Sequence, residues 1–210
     1  MQFYSYWKSI IIMENPDAPS TRRNRGPILK ILTKELINAS EILEIGSGTG
    51  QHAVYFSRNL SHVTWYTSDR SINHPGINSR VKSYKGLNLK SPIDLHIGKN
   101  EKDVLQHFDN IFSSNTSHIM SYENVKRMFR LVGRLLRSEG KFFLYGPFKI
   151  GGKFTSKSNE EFNETLKIQD SFMGLRDIEG LHRLASKSGL EKYEFYEMPA
   201  NNYLSVWVKI

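Results

Sequence analysis

Apolar residues recur along this chain with two periods, and the alternation between them sets the expected order of elements. Residues 14–26 are polar and carry Pro16 and Pro19. They are expected to form an irregular part of a lead-in over residues 1–26, ahead of a single domain over 27–210. Pro27 suits a first helical turn, and Ile28, Leu29, Ile31, Leu32 and Leu36 then recur at helical spacing to about Asn38. Ile42, Leu43 and Ile45 predict a first strand that runs into a glycine-rich turn, with a helix from about Gln51 to Asn59. Further strands are expected at Val63–Thr67, Val81–Leu87, Phe108–Ser113 and Lys141–Tyr145. The segment Tyr122–Arg137 predicts a long amphipathic helix, closed by Ser138-Glu139-Gly140. A short helix around Asn159–Lys167, a second over Asp177–Ser188 capped by Gly189, and strands at Lys192–Glu197 and Tyr203–Ile210 complete the chain.

Strands alternating with helices argue for an open, mostly parallel α/β sheet with helices on both faces. The last two strands are joined only by Met198–Asn202, too short for a parallel crossover, so they should pair antiparallel. The expectation is a seven-stranded sheet with one antiparallel strand. Between Asp69 and the third expected strand, Arg70–Arg80 holds Asn73, His74, Pro75, Gly76 and Asn78, a composition that disfavours helix.

Composition changes this picture little. A chain of 210 residues, 39% hydrophobic, fits one domain with a substantial core. It has no apolar run of membrane-spanning length, and Phe3–Ile12 lacks the basic leader and cleavage site of a signal peptide. Met13 is an alternative start. The absence of cysteine excludes disulfides and thiolate chemistry and fits a cytoplasmic protein. The net charge of +8 suggests an anionic partner. However, Arg127, Arg130, Arg134 and Arg137 recur at spacings of three and four, opposite Val125, Met128, Phe129, Val132 and Leu136. That pattern reads as a solvated helix face, and aromatic–basic interleaving of the single-strand-binding kind is missing. Nucleic acid is therefore not favoured over a small molecule. The seven histidines show no paired ligand spacing, so no metal is expected.

Candidate chemistry centres on Glu44-Ile45-Gly46-Ser47-Gly48-Thr49-Gly50-Gln51. Glycine lets backbone approach a ligand closely, and the helix behind the turn offers free N–H groups. A dinucleotide fingerprint needs a third glycine where Gln51 stands, which argues against a nicotinamide-dependent oxidoreductase. The pattern Glu-x-Gly-x-Gly-x-Gly is instead the one shared by S-adenosylmethionine-dependent methyltransferases.

Further segments join it in order. They are Asn24-Arg25-Gly26-Pro27, Trp65 with Ser68-Asp69, Asn115-Thr116-Ser117-His118, Tyr145-Gly146-Pro147-Phe148, Gly174-Leu175-Arg176-Asp177 and Met198-Pro199-Ala200-Asn201-Asn202. Over about residues 15–210 the chain resembles the methyltransferase-like proteins catalogued as domain of unknown function 938. The resemblance implies a Rossmann-like class I methyltransferase fold and S-adenosyl-L-methionine as cofactor, and it supplies no substrate. In two places the chain departs from the family: the segment after Asp69 is short, and Asn88 stands where an aspartate is usual after the third strand. Both departures favour a non-catalytic binding module as the alternative.

On this resemblance Gly46, Ser47, Gly48 and Gly50 would pass beneath the methionine and ribose portions, and Glu44 would orient the loop or reach the ammonium through water. Asp69 would accept from the ribose hydroxyls, Asn88 would meet the adenine amine, and Asn115 and Thr116 would lie beside the cofactor. Methyl transfer needs alignment more than acid–base help. His118, with Asn115, is the candidate catalytic group where the acceptor arrives protonated. Tyr145, Asn201 and Asn202 would line an acceptor pocket. Each also has a plain structural reading: turn residues for Asp69, Asn201 and Asn202, a strand terminus for Asn88, core packing for Tyr145. Asn-Pro-Pro-aromatic, the motif of amino-methylating nucleic-acid enzymes, does not follow the fourth expected strand.

Overall fold

The computed structural model describes residues 18–38 and 40–210; the expectations for Phe3–Ile12 and Met13 lie outside them. Among the described residues the helices are α1 (Pro19–Glu35), α2 (Gln51–Asn59), α3 (His74–Ser83), α4 (Tyr122–Leu135), α5 (Lys157–Gln169) and α6 (Ile178–Ser186). Seven strands form the main sheet: β1 (Ser40–Ile45), β2 (Val63–Asp69), β3 (Leu89–Asp94), β4 (Phe108–Ser114), β5 (Leu136–Gly146), β9 (Leu190–Met198) and β10 (Asn202–Lys209). The short strands β6 (Phe148–Ile150), β7 (Lys153–Phe154) and β8 (Arg176–Asp177) make a small separate sheet in the order β7-β6-β8.

The main sheet runs β3-β2-β1-β4-β5-β10-β9. β1 pairs parallel with both β2 and β4, while β10 pairs antiparallel with β5 and β9. Chain order reverses between β1 and β4, and a ligand crevice is expected at the strand C-termini beside such a switch point. Each face of the sheet has its own core. On one, Ile28 and Leu32 of α1 and Phe56 of α2 meet Trp65, Phe112, Phe143 and Val206. On the other, Val125, Met128, Phe129 and Val132 of α4, with Leu181 of α6, meet Leu43, Ile111, Phe142 and Trp207. Alternate strand residues supply the two faces because strand side chains point to opposite sides.

Local chemistry explains the helix starts. Ser121, Ser156 and Asp177 cap α4, α5 and α6 by accepting from the backbone N–H groups of Asn124, Asn159 and Gly180.

The structure corrects four expectations. Residues 19–26 are helical, so α1 starts at Pro19 and runs on through Pro27, leaving no irregular lead-in over that stretch. Residues 71–83 form a 3-10 turn and then α3, although helix was disfavoured there. Pro75 sits in the first turn of α3, where its missing N–H would have no partner anyway, and Ile77 is buried. The third strand is Leu89–Asp94, not Val81–Leu87, whose first residues end α3. On α4 the arginine stripe is only partly a solvated face. Arg127 pairs with Glu101, Arg134 donates to the carbonyls of Val104 and Glu101, and Arg137, which falls in β5 beyond the helix end, pairs with Glu41 and Asp109.

Candidate functional site

The C-terminal ends of β1, β2, β4 and β5 bring Gly46, Gly48, Asp69, Asn115, Thr116, His118 and Tyr145 to two adjoining cavities. The glycine turn after β1 is held from below by a buried network. Gly46 and Ser47 donate backbone N–H to the Ser68 carbonyl at 3.0 and 2.9 Å. Ser47 Oγ donates to Glu44 Oε2 at 3.0 Å, and Trp65 Nε1 donates to the same oxygen at 3.1 Å. Glu44 is buried, and burial pushes its carboxyl up to about 7 against these hydrogen bonds. Of its two expected roles, the geometry matches loop orientation; Glu44 does not line the cavity above the turn. At Gly46 a Cβ would sit 2.6 Å from Thr116 Cγ2, and φ is +77°, so both space and backbone select glycine.

Asp69 ends β2 in the expected place. Its Oδ2 accepts from the Gly48 N–H at 2.7 Å, and its Oδ1 accepts from the Arg70 N–H and from Asn73 Nδ2. The carboxylate thus ties the glycine turn to the segment before α3. Beyond it lies a cavity of about 540 Å³, lined among others by Gly46, Gly48, Asp69, Leu95, Ile97, Asn115, Thr116 and Met120. Its size falls within the range of small-molecule sites. A Cβ on Gly48 would meet nothing within 4 Å, so the backbone there faces open space.

Asn88 corrects one assignment. Its amide nitrogen donates to the carbonyls of Ser57, Leu60 and Val63, and its Oδ1 accepts from Tyr84. It lies before β3 rather than after it and lines neither this cavity nor the next. The wall after β3 comes from Leu95, His96 and Ile97, which sequence reasoning missed because it placed the strand one element early.

After β4, Asn115 adopts φ +58°, a left-handed conformation that asparagine tolerates. Its N–H donates to the Tyr145 carbonyl at 2.9 Å. Asn115 lines the first cavity and also a second of about 420 Å³, whose wall includes Arg23, Asn24, His118, Tyr145, Asn159 and Asn202. His118 is buried and its Nδ1 has no hydrogen-bond partner among the described residues. Burial, with Arg176 nearby, pushes His118 down to about 4, so the ring is neutral at neutral pH. Arg176 itself donates to the carbonyls of Ser117, Met120 and Phe172, stitching the segment after β4 to the one after α5.

Tyr145 reaches the second cavity beside Asn24, whose Oδ1 meets His52 Nε2 at 2.7 Å. Asn201 does not line this cavity: its carbonyl accepts from Asn159, while Asn202 lines the wall with its amide turned back onto Pro199 and Ala200. Asn24 was missed as a site residue because α1 was not expected to begin before Pro27. Among the described residues no cluster of His, Asp or Glu is arranged to hold a metal ion.

The seven-stranded order, with a glycine turn after β1 and an acid at the end of β2, defines the class I methyltransferase fold. Solved structures of that class superpose on the chain. An O-methyltransferase family protein from Burkholderia thailandensis matches with a TM-score of 0.78 at 10% identity, over 90% of this chain and 57% of its own. SibL, an S-adenosylmethionine-dependent methyltransferase, matches at 0.76 and 11% identity over 90% of this chain and 55% of its own. PigF, determined with SAH, matches at 0.74 and 12% identity over 91% and 64%. The chain therefore spans little more than half the length of these proteins, and at such identity the likeness is one of fold. Residues 15–209 match the model of the family described as "Protein of unknown function (DUF938)", and the chain belongs to that family.

Proposed function

We propose that this chain is an S-adenosylmethionine-dependent methyltransferase acting on a small-molecule acceptor. One observation carries the reading: two cavities meet at Asn115, one walled by the glycine turn and Asp69, the other by His118 and Tyr145. The first cavity fits the cofactor chemically. Gly48 leaves open space over its backbone, Asp69 and Asp170 outnumber Arg70 in the lining, and Leu95, Ile97 and Met120 give an apolar flank. When bound, the cofactor supplies an electrophilic methyl group on a sulfonium. The backbone of Gly46–Gly48 and Thr116 would hold its amino-acid end, Asp69 would accept from ribose hydroxyls, and the apolar flank would face adenine.

This chain's own contribution is alignment and exclusion of water. Asn115 stands where both cavities open and would orient the acceptor. His118, held neutral by burial, offers a hydrogen-bonding nitrogen and only a weak base. Solved structures of similar fold, the S-adenosylmethionine-dependent methyltransferase SibL and PigF with SAH among them, support the cofactor. The two features that favoured a non-catalytic module lose their weight, since α3 occupies the segment after Asp69 and Asn88 is a structural residue. A nucleic-acid partner is further disfavoured, because Arg127, Arg134 and Arg137 have partners within the chain.

The test is transfer of label from methyl-labelled S-adenosylmethionine into a cell extract fractionated by size, with an Asp69→Ala control. Label is expected in the small-molecule fraction with the wild-type chain and not with the control. Label in RNA or protein would overturn the acceptor class. No label above background from folded chain would overturn the enzyme reading.

A further inference from the structure

The second cavity differs in charge from the first. Among the described residues its lining carries one formal charge, Arg23 on α1, and no carboxylate. The titratable groups around it feel the same sign: Arg23 acts on Tyr145, Arg176 on His118 and Arg25 on His52, with no acid among the described residues acting on any of the three. Arg23 makes no ion pair among the described residues, whereas Arg127 on α4 and Arg137 in β5 do. A cation facing an otherwise uncharged, partly apolar hollow selects for an anion.

The inner wall presents a second requirement. His118 is only 4% exposed, and its Nδ1 lacks a partner among the described residues. A Cβ placed on Gly146 would lie 3.7 Å from that nitrogen and 3.9 Å from Asn115 Oδ1, so the two polar atoms share one small space at the junction of the cavities. Buried polar atoms in native proteins nearly always have partners, and an orphan calls for one. Between the charged rim and this wall stand Phe162, whose ring packs edge-on against His118 at 5.3 Å between centroids, and Pro147. Such a surface suits a flat apolar body.

We infer that the second cavity binds a small hydroxylated carboxylate, with its carboxylate on Arg23, its ring or short apolar body against Phe162, and its hydroxyl at His118 Nδ1 beside Asn115. This deepens the methyl-transfer reading and rests on it only for calling the ligand an acceptor. Where that reading holds, the hydroxyl is the group placed at the junction. Arg23 and His118 then set specificity from opposite ends of the molecule.

The experiment is calorimetric titration of the full chain with 3- and 4-hydroxybenzoate, with the matching neutral hydroxybenzamides, and with benzoate. S-adenosylhomocysteine is titrated separately as a probe of the first cavity. A hydroxybenzoate is expected to bind on the order of tenfold more tightly than its amide and than benzoate. Arg23→Gln should erase the preference over the amide, and His118→Phe should erase the preference over benzoate. Both variants should keep the wild-type affinity for S-adenosylhomocysteine, which also shows that they fold. Amides that bind as tightly as carboxylates, a preference that survives Arg23→Gln, or no binding by any hydroxybenzoate while S-adenosylhomocysteine binds would each overturn the inference. Hydroxybenzoate binding without S-adenosylhomocysteine binding would uphold the anion site and sink the methyltransferase reading instead.

Discussion

Glu44 is a carboxyl placed where water cannot reach it, and its hydrogen bonds from Ser47 and Trp65 leave it far above the usual carboxylate range. The consequence for stability has a definite sign. A group whose folded pKa is raised stabilises the fold fully below its unfolded value of 4.5, and that contribution disappears as pH rises through about 7. The whole effect is about 3 kcal/mol for a shift of this size. Burial lowers His52 and His118 to about 3 and about 4, so they act the other way: each costs stability as pH falls below the ordinary histidine value. The two effects separate in a Glu44→Gln variant, which keeps an oxygen for Ser47 and Trp65 but cannot titrate. Denaturant unfolding of both chains from pH 5 to pH 8 should show the wild type losing stability relative to Glu44→Gln as pH rises. A difference that stays flat with pH would contradict the assignment of Glu44 as protonated in the fold. The residue was legible in the sequence as part of the glycine motif. Its burial beneath the turn was not, because that depends on Trp65 from the next strand.

Among the elements, those that carry an uninterrupted apolar period were legible, and those shaped by tertiary contact were not. α4 combines a strong apolar stripe with a Ser121 cap, and it was found to within two residues of its end. α3 has no such stripe. It holds because Ile77 packs at the glycine turn, where a Cβ on Gly50 would touch its backbone at 3.5 Å. β3 was misplaced because Pro92 interrupts its pattern, which an edge strand accommodates, and β3 is the edge. The walls between the two cavities depend on one further element contact. Arg176, in β8, donates to three carbonyls in two segments, and Lys cannot reproduce that fork. Arg176→Lys should therefore lower unfolding stability by roughly 1–3 kcal/mol and weaken ligand binding in both cavities, as urea unfolding and calorimetry would show. Unchanged binding in both would mean that the stitch has no part in the site.

At the scale of the molecule, the net charge of +8 does not describe the site. Arg127 and Arg134 of α4 and Arg137 of β5 have partners within the chain; among the described residues the cavity next to the glycine turn is lined by more acid than base, and Arg23 is the one charged residue of its neighbour's lining. The polar floor of the first cavity could be read from sequence, since Gly46, Gly48, Asp69, Asn115 and Thr116 stand at or after strand ends in a known order. In the second, Asn24 and Phe162 escaped, because Asn24 comes from a helix whose start was hidden by prolines and Phe162 from α5. No helix among the described residues is long and apolar enough to cross a membrane. The central claim, that the crevice at the β1–β4 switch point is a cofactor site, is tested most directly by calorimetric titration of the full chain and of Asp69→Ala with S-adenosylhomocysteine. Micromolar binding by the wild type, weakened at least on the order of tenfold in the variant, is the result expected from a carboxylate that accepts ribose hydroxyls. No binding by the folded wild type, or binding indifferent to Asp69, would contradict it.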